Sequence, residues 1–451
     1  MAKPTRTRKA VRQRRARPAT TKTRVKKTLA KPKIPRRNAV RRMFHLRRVQ
    51  APDSGGEVVR TIVRDVDRYA ADALYFARHF DFTGRDLEEN FATLRAGAGF
   101  RGPVRTALWF VPHFLYPYYG GIHTILRFAD YLARRHGVRN TFAVQGVYDV
   151  RENARMAAEA FPALADSRFV PLPEDRLVDS LEPHDVGICT AWQTAYPLLK
   201  DNRVRRKLYF MQDFEPLFYP AGSVYGLAEE TYRFGFDGIC NTPPLQALYE
   251  RYSGRAVAFR PSVDRDVFYP PAGERHLGTN VRLFFYGRPF GIRNGFETAA
   301  EALKIVKRRF GGAIEIVSAG GDWNPADYGL EGVVTNLGRL PYRRTADLFR
   351  TCHIGLTLMM TPHTSYLPLE LMACGCVVVT NGSPWKEWLL KDGSNCLFAQ
   401  PVPSRIAETV ARAVENPDLR RELSRRALED AAAWPDWDAE FDRVMGELFG
   451  K

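Results

Sequence analysis

Arg288 and Arg293 are the two side chains whose type and spacing most directly suggest binding chemistry. They lie five residues apart in GRPFGIRN, after the apolar run RLFFY. A guanidinium group stays charged and donates hydrogen bonds in a planar fork, which suits the oxygens of a diphosphate. The competing interpretation is that both are solvated arginines on a loop, because most arginines are exposed.

Glu370 is the single carboxylate in HTSYLPLELMACGCVVVTN, residues 363–381. We expect PLELMACG to form a short helix with the acid in its first turn, ahead of a buried strand. A helix start favours negative charge and can direct backbone N–H groups at a phosphate. A carboxylate beside a diphosphate would be repelled unless it accepts hydrogen bonds from ligand hydroxyls. A sugar nucleotide supplies both groups, whereas simple stabilisation of the helix end is the alternative.

Gly120 and Gly121 precede IHTILRFADYLARRHG, which predicts an amphipathic helix that stops at Gly137. A glycine pair ahead of a helix lets backbone amides approach a ligand, so this turn is a candidate wall of the same site. It does not match GxGxxG, and an ordinary turn is the alternative. His123, in the first turn of the predicted helix, is a candidate cleft-lining residue, with a packed or capping role as the alternative.

Short apolar runs alternate with helical patterns along most of the chain. The alternation starts at TALWFVP, breaks at residues 264–280, where Pro, Gly and charged residues suggest a linker, and restarts at RLFFYGR. Such alternation predicts parallel sheets with helices on both faces. The predicted fold class is therefore α/β, with two Rossmann-like, doubly wound parallel-sheet domains facing across a cleft that binds ligands.

The predicted organisation has five parts, and the first is strongly basic. Residues 1–50 hold 20 of the 68 Lys and Arg and none of the 50 Asp and Glu, so we expect a disordered tail. The other predicted parts are a helical extension at 51–100, Rossmann-like domains at 101–270 and 271–432, and a last helix at 433–451 that packs back on the first domain.

Cysteine usage and hydropathy restrict the cellular class. The six cysteines are scattered without a CxxC pair, so we expect reduced, buried thiols rather than a zinc site or disulfides. No run approaches the ~18 apolar residues of a membrane-spanning helix, and the tail lacks the apolar segment of a secretory signal. We expect a cytoplasmic protein, which would lie at the inner face of a membrane if the tail binds anionic lipid. Other possible partners of the tail are an acidic protein chain and, less favoured, nucleic acid. A tail that only increases solubility is a further alternative.

Several motifs, in order, resemble a known family. The order strand–Gly-Gly–helix, then GR with a second arginine five residues on, then ELMACGCVVVT, resembles the retaining, two-Rossmann-domain (GT-B) glycosyltransferases of family 4. More narrowly, YFMQDFEPLFYPAGS, RPSVDRDVFYP, GRPFGIRNGFE and HTSYLPLELMACGCVVVTN resemble the WsaF-type L-rhamnosyltransferases of bacterial surface glycan assembly. The resemblance covers roughly residues 104–450. It implies transfer of a sugar, with dTDP-L-rhamnose as the first choice, from a nucleotide-sugar donor on the second domain to a glycan or lipid-linked glycan acceptor on the first.

The resemblance also implies roles for the residues singled out above. Arg288 and Arg293 match the pair that holds the donor diphosphate, and Gly120 and Gly121 match the loop that touches the donor phosphates. Glu370 matches the second acid of the family's E-x7-E pattern, which binds the nucleotide ribose. No metal or cofactor is expected, because arginines and helix-end amides can stabilise the leaving diphosphate and no cluster of carboxylates stands out.

Two departures from the family pattern concern the donor sugar. The first acid of E-x7-E would fall at position 362, which is a proline, so His363, Thr364 or Ser365 is expected to replace that contact.

The family's histidine after an inner N-terminal strand is replaced by Gln212-Asp213, and we place Asp213 at the reacting centre with Gln212 lining the cleft. Glu215, two residues on, is a candidate for polar wall rather than acid catalyst.

Two other classes of function stay open at this point. One is a different enzyme of the same fold, a transferase using UDP- or GDP-sugars or a nucleotide-sugar epimerase, which a donor screen by thermal stabilisation would distinguish. The other is a non-enzymatic polyanion-binding protein that acts through the basic tail, which filter binding to nucleic acid across salt concentrations would test.

Removing residues 1–45 is expected to leave transfer between soluble substrates intact and to weaken binding to anionic vesicles at low salt, because the deleted charges are screened at high salt. Vesicle sedimentation at two salt concentrations measures this, with neutral phosphatidylcholine vesicles as the control. Equal binding by the full-length and shortened chains would identify the tail as a solubilising segment.

Overall fold

The computed structural model of the chain describes residues 66–450, apart from positions 148 and 253 and the segments 173–180 and 274–279. The predicted tail at 1–50 and the start of the predicted extension, at 51–65, lie outside the described residues. Within the described ranges, no helix is both long and apolar enough to cross a lipid bilayer.

Strands and helices alternate along the described chain. The strands are Thr106–Pro112 (β1), Arg139–Gln145 (β2), Arg168–Leu172 (β3), His184–Cys189 (β4), Val204–Met211 (β5), Asp237–Asn241 (β6), Ala256–Phe259 (β7), Val281–Tyr286 (β8), Ile314–Ala319 (β9), Thr335–Asn336 (β10), Ile354–Leu356 (β11), Val377–Thr380 (β12) and Cys396–Phe398 (β13). The helices are Val66–His79 (α1), Gly84–Gly97 (α2), Gly120–His136 (α3), Arg151–Ala160 (α4), Trp192–Lys200 (α5), Ser223–Glu230 (α6), Pro243–Tyr249 (α7), Phe296–Phe310 (α8), Tyr342–Thr351 (α9), Tyr366–Ala373 (α10), Pro403–Glu415 (α11), Pro417–Ala433 (α12) and Trp437–Phe449 (α13).

Two parallel sheets organise these elements. The first has the strand order β3-β2-β1-β4-β5-β6-β7 and the second β10-β9-β8-β11-β12-β13, and every paired strand is parallel. The predicted pair of doubly wound α/β domains is therefore confirmed. Helices cover both faces of such sheets, which is why central strands read as continuous apolar runs: Leu108, Trp109 and Phe110 of β1 are all buried.

Parallel pairing places the carboxyl ends of all strands of a sheet at one edge, and the loops from the two edges meet across a cleft. The Thr124 hydroxyl, on α3, donates a hydrogen bond to the hydroxyl of Tyr366, on α10, at 2.9 Å. The Tyr116 hydroxyl, after β1, donates to the carbonyl of Leu340 at 3.4 Å. These contacts hold the facing walls of the two domains together.

The helix α2 is tied to the first sheet by a buried lysine. The ammonium group of Lys207, on β5, donates to Asn90 Oδ1 on α2 at 2.9 Å, to the Leu199 carbonyl at 2.8 Å and to Asn202 Oδ1 at 3.0 Å. Burial lowers the pKa of Lys207 to about 7. Helix α2 thus packs against β5, and Gln212 and Asp213 directly follow that strand.

The position of Glu370 in its helix differs from the one predicted from the sequence. The helix expected at PLELMACG begins two residues earlier, at Tyr366, so Glu370 lies in its second turn rather than its first. After position 402 the chain forms two successive helices, α11 and α12, because Pro417 lacks the N–H that would continue α11. The expected burial of all six cysteines as thiols is confirmed.

The last helix, α13, packs on the core of the first sheet although it follows the second. The Phe441 ring lies 4.8 Å from Phe128 on α3 and 5.7 Å from Phe259 on β7, and its side chain is fully buried. At the rim, the Tyr131 hydroxyl donates to Asp442 at 2.6 Å, and Arg260 pairs with Glu440 at 2.7 Å. The chain therefore crosses twice between the two domains.

Replacing Phe441 with alanine is expected to lower the free energy of unfolding by about 3–5 kcal/mol, because the aromatic contacts are lost and a cavity remains. Urea unfolding followed by circular dichroism measures the change. Phe91→Ala, on the 38% exposed ring of α2, is the matched control and should cost about 1 kcal/mol or less. Equal costs at the two positions would contradict the docking of α13 described above.

Candidate active site

The cleft between the sheets contains a cavity of about 470 Å³. Its walls come from the loops after β1, β5 and β6 on one side and after β8, β9 and β11 on the other. Every residue that the sequence analysis proposed for the site lines this cavity: Gly120, Gly121, His123, Gln212, Asp213, Arg288, Arg293, His363, Thr364, Ser365 and Glu370. Gly120 and Glu370, 250 positions apart in the sequence, are thus brought to one cleft.

Arg293 and Asp213 form an ion pair across the cleft. Arg293 Nη1 donates to Asp213 Oδ2 at 2.8 Å, and the Thr361 hydroxyl donates to the same oxygen at 3.0 Å. The guanidinium carbon of Arg293 lies 3.8 Å from the centre of the Phe218 ring, which fixes the orientation of the arginine. Asp213 is buried, whereas Arg293 keeps 38% of its side chain exposed to the cleft. Asp213 thus occupies one edge of the Arg293 guanidinium group, and the remaining N–H donors of Arg293 face the cavity.

Arg288 has a different environment. Its Nη1 donates to the Tyr286 hydroxyl at 3.1 Å, and its guanidinium lies 5.5 Å from the Tyr119 ring. Among the described residues, no carboxylate pairs with it within 4.0 Å. A cleft-lining guanidinium that is held by aromatic rings and lacks a counter-charge is a ready partner for an anionic ligand.

The glycine pair leaves the start of α3 open to the cleft. A Cβ atom at Gly120 would lie 3.0 Å from the Tyr366 ring, and one at Gly121 would lie 3.6 Å from Gln212. The residue ahead of the helix, Tyr119, makes no side-chain capping hydrogen bond. The first backbone N–H groups of α3 are therefore not capped by that side chain, and the small residues let the opposite wall approach them.

Glu370 sits in a different electrostatic setting from the one expected at a helix start. Burial, together with the negative charge of Asp264, raises its pKa to about 8. No hydrogen bond from a described residue to its carboxyl group is found within 3.5 Å, although the hydroxyl of Tyr342 lies in the same wall. A carboxyl group held in the cavity without a protein donor suits a ligand that brings its own hydroxyls.

A polar cluster lies next to Glu370, and of its members the sequence analysis singled out only His123. Asp264 accepts hydrogen bonds from Arg127 at 2.7 Å and from the Tyr342 hydroxyl at 2.8 Å, and His123 Nε2 lies 3.4 Å away. Burial alone would raise the pKa of Asp264, but His123 and the charge of Arg127 hold it well below its ordinary value. Burial lowers the pKa of His123. These residues lie in the predicted linker and on helix faces, so only the fold brings them together.

The stretch that replaces the expected acid at position 362 is buried at the floor of the cavity. His363 and Thr364 are 5% and 3% exposed, and the hydroxyl of Thr364 and Nδ1 of His363 have no hydrogen-bond partner among the described residues. Ser365 precedes α10 without capping it through its side chain. The ammonium group of Lys386 donates to the carbonyls of Met359 and Asn381 at 2.9 and 3.0 Å, and these hydrogen bonds stabilise the loop.

Glu215 lines the cavity, but its carboxyl group is engaged by protein donors. Its carboxyl group accepts hydrogen bonds from the Trp192 backbone N–H and from the Tyr209 hydroxyl, the latter at 3.3 Å. Burial raises its pKa to about 8, against the effect of the Trp192 N–H. This geometry supports a wall role. In the described part of the chain, no three His, Cys, Asp or Glu side chains cluster so as to hold a metal ion.

Comparison with known proteins gives matches over both halves of the chain. The family models "WsaF, N-terminal domain" and "WsaF, C-terminal domain" match residues 117–241 and 281–411. O-antigen biosynthesis protein RfbC of Myxococcus xanthus is 43% identical over 423 residues, which covers 88% of this chain and 32% of that protein. The chain therefore spans about a third of the length of this curated relative.

Solved structures share the fold at low sequence identity. Sucrose-phosphate synthase from Thermosynechococcus elongatus superposes with a TM-score of 0.59 at 16% identity, over 76% of this chain and 98% of the other. HepE from Anabaena, in complex with UDP and glucose, superposes with a TM-score of 0.60 at 14% identity, over 76% and 99%. At this identity the likeness establishes the architecture only.

The pKa of Glu370 predicts how stability depends on pH. A carboxyl group whose pKa is raised by folding stabilises the folded state below its ordinary pKa near 4.5, and this contribution is lost as the pH rises through about 8. The Glu370→Gln variant has no carboxyl group to ionise at this position. Between pH 5 and pH 8.5 the melting temperature of the wild type should therefore decrease by at least ~2 °C more than that of the variant.

Differential scanning fluorimetry across this range measures the effect. Glu331→Gln, at an exposed position, is the control and should follow the wild-type curve. A Glu370→Gln curve parallel to the wild type would show that this carboxyl group is not held in the state described.

Proposed function

The chain belongs to the WsaF family of GT-B glycosyltransferases, and from this premise we propose that it transfers a sugar from a nucleoside-diphosphate donor to a hydroxyl group of a glycan in surface polysaccharide synthesis. The observation that carries the proposal is the convergence of Arg288, Arg293, the glycine pair and Glu370 on one cavity. Together they offer cationic groups and backbone amides for a diphosphate and a carboxyl group for hydroxyls.

In the proposed reaction the bond between the anomeric carbon and the diphosphate oxygen breaks, and a bond from that carbon to the acceptor oxygen forms. The negative charge that develops on the leaving diphosphate is stabilised by Arg288 and by the amides at the start of α3. Arg293 contributes its cavity-facing donors while Asp213 holds it in place. Preorganised groups of this kind supply the largest share of the rate in many enzymes.

We further propose retention of anomeric configuration, with the acceptor proton passing to the leaving phosphate. Asp213 is the carboxylate that pairs with Arg293 of the proposed diphosphate site, and its Oδ2 accepts hydrogen bonds from both Arg293 and Thr361. This engagement disfavours a role as a covalent nucleophile and favours one in orienting the arginine. Metal-independent transfer stays part of the proposal, since two arginines can balance the diphosphate charge.

For the donor, we propose dTDP-L-rhamnose first and a UDP- or GDP-sugar second. The WsaF matches favour the first choice, and the UDP and glucose bound by HepE concern that protein alone. The acceptor is proposed to be a glycan or lipid-linked glycan, by analogy with the O-antigen role in the name of the 43% identical relative. Incubating the purified chain with a panel of nucleotide sugars, and detecting released nucleotide by chromatography, tests the donor directly.

Arg288→Ala is expected to reduce kcat/KM for transfer at least ~100-fold while the protein remains folded, because this arginine lacks a protein counter-charge and is the strongest candidate for the diphosphate. Steady-state kinetics on the donor identified by the panel give the ratio, and circular dichroism checks the fold. Arg344→Ala, an arginine 74% exposed outside the cavity, is the matched control. Turnover near the wild-type value in Arg288→Ala would remove the central support for this site.

A further inference from the structure

Buried polar atoms without partners are concentrated in the cleft. Among the described residues, twelve buried side-chain nitrogen or oxygen atoms have no hydrogen-bond partner, and seven of them belong to residues that line the cavity. Folding normally pairs such atoms, because an unpaired buried polar group costs free energy. A group of them in one cavity therefore indicates that a ligand completes their hydrogen bonds.

Asn241, the last residue of β6, lies at the centre of this group and was assigned no role above. It is 1% exposed, and its Nδ2 lies 3.4 Å from Gln212 Oε1 and 3.4 Å from His363 Nε2. Both contacts are at the long end of the hydrogen-bond range. Asn241 Oδ1 and Gln212 Nε2 have no partner, so the pair presents one free acceptor and one free donor. If both side-chain amides are rotated by half a turn, so that N and O exchange places, the pair still presents one free acceptor and one free donor.

The backbone after Asn241 is strained. Thr242 has a φ of 113°, the one positive φ of a non-glycine residue in the described chain. A β-branched residue rarely adopts this conformation. The Thr242 N–H donates to the carbonyls of Cys240 at 3.0 Å and Phe259 at 3.1 Å, which hold the strand end in place. Strain of this kind persists where the surrounding structure enforces it, often beside binding groups.

We infer that Asn241, with Gln212, binds a hydroxyl group of the donor's sugar ring, and that Thr242 is a positioning residue that aims the Asn241 amide into the cleft. A hydroxyl both donates and accepts, so it matches one free acceptor and one free donor. The donor sugar is the ring favoured, because Gln212 precedes Asp213, which holds Arg293 of the proposed diphosphate site. The inference rests on the proposed function and adds the group that distinguishes a sugar nucleotide from the nucleotide alone.

Calorimetry with paired ligands tests this assignment. Wild type and variants are titrated with dTDP and dTDP-L-rhamnose, and with UDP and UDP-glucose, and the sugar contribution is the ratio of the two dissociation constants within the pair that binds. Asn241→Ala should bind the nucleoside diphosphate within ~3-fold of wild type and lose at least ~10-fold in affinity for the sugar nucleotide. Asn324→Ala, exposed and outside the cavity, is the control.

Gln212→Ala, at a partly exposed position, gives a second variant in case Asn241→Ala does not fold, and the same selective loss is expected. Unchanged sugar contributions in both variants, or equal losses for both ligands of a pair, would overturn the inference. A wild-type protein that binds a nucleoside diphosphate but gains nothing from the sugar would also overturn it and leave the proposed function standing. Failure of the wild type to bind any of the four ligands, together with no nucleotide release from any sugar of the donor panel described above, would instead refute the proposed function.

Thr242→Gly separates positioning from stability. Glycine adopts a positive φ without penalty, so the melting temperature should stay the same or rise, while the freed strand end lowers the sugar contribution at least ~3-fold. A merely structural role would give the opposite pattern, a lower melting temperature with unchanged sugar binding. That result would refute the role of Thr242 and leave Asn241 to be judged by its own variants.

Discussion

The ion pair between Arg293 and Asp213 is the contact on which the geometry of the cleft most depends. It joins a loop of the second sheet to a loop of the first, and Thr361 and Phe218 hold its two partners from either side. Because Asp213 is buried, removing the arginine would leave an uncompensated charge, which costs more than a surface pair would. The same guanidinium keeps exposed donors toward the cavity. One arginine therefore orders the cleft and remains able to bind an anion.

The carboxyl groups around this cavity fall into two electrostatic classes. Asp264 is held by Arg127 and Tyr342, and its pKa is well below the ordinary value. Glu215 is buried and Glu370 half-buried, neither forms an ion pair with a described residue, and desolvation raises the pKa of each to about 8. A direct hydrogen bond from a guanidinium group distinguishes the classes, since Arg127 donates to Asp264 whereas no described arginine donates to Glu370 or Glu215. A neutral or weakly acidic Glu370 beside a proposed diphosphate reduces the repulsion that a fixed negative charge would cause.

Local stability and the proposed function compete in the floor of the cleft. His363, Thr364 and Asn241 are buried with polar atoms that the described residues do not satisfy, and Thr242 is strained. The core of the first domain offers a contrast at Trp109, which is buried with its ring N–H donating to Asn140 at 2.8 Å. Departures from such consistency are expected where a protein meets its ligand. Among the described residues, seven of the twelve unpaired buried polar atoms belong to residues that line this one cavity, and this concentration distinguishes the site from the rest of the molecule.

The sequence by itself determined the α/β class, the two-domain division and the inner strands, because strands buried on both faces appear as continuous apolar runs. It also pointed to the two arginines, the glycine pair and Glu370. It missed β3, β7 and β13, which lie at the edges of the two sheets. These strands have only five, four and three residues, so their sequence pattern is weak. It also set Glu370 one turn too early. Only the tertiary structure decided which distant residues meet. Asp264 looked like linker because it meets Tyr342, 78 positions away. Asn241 looked like the end of an ordinary strand because it meets His363, 122 positions away. Burial and pairing across a cleft are properties of the folded chain, and no local pattern records them.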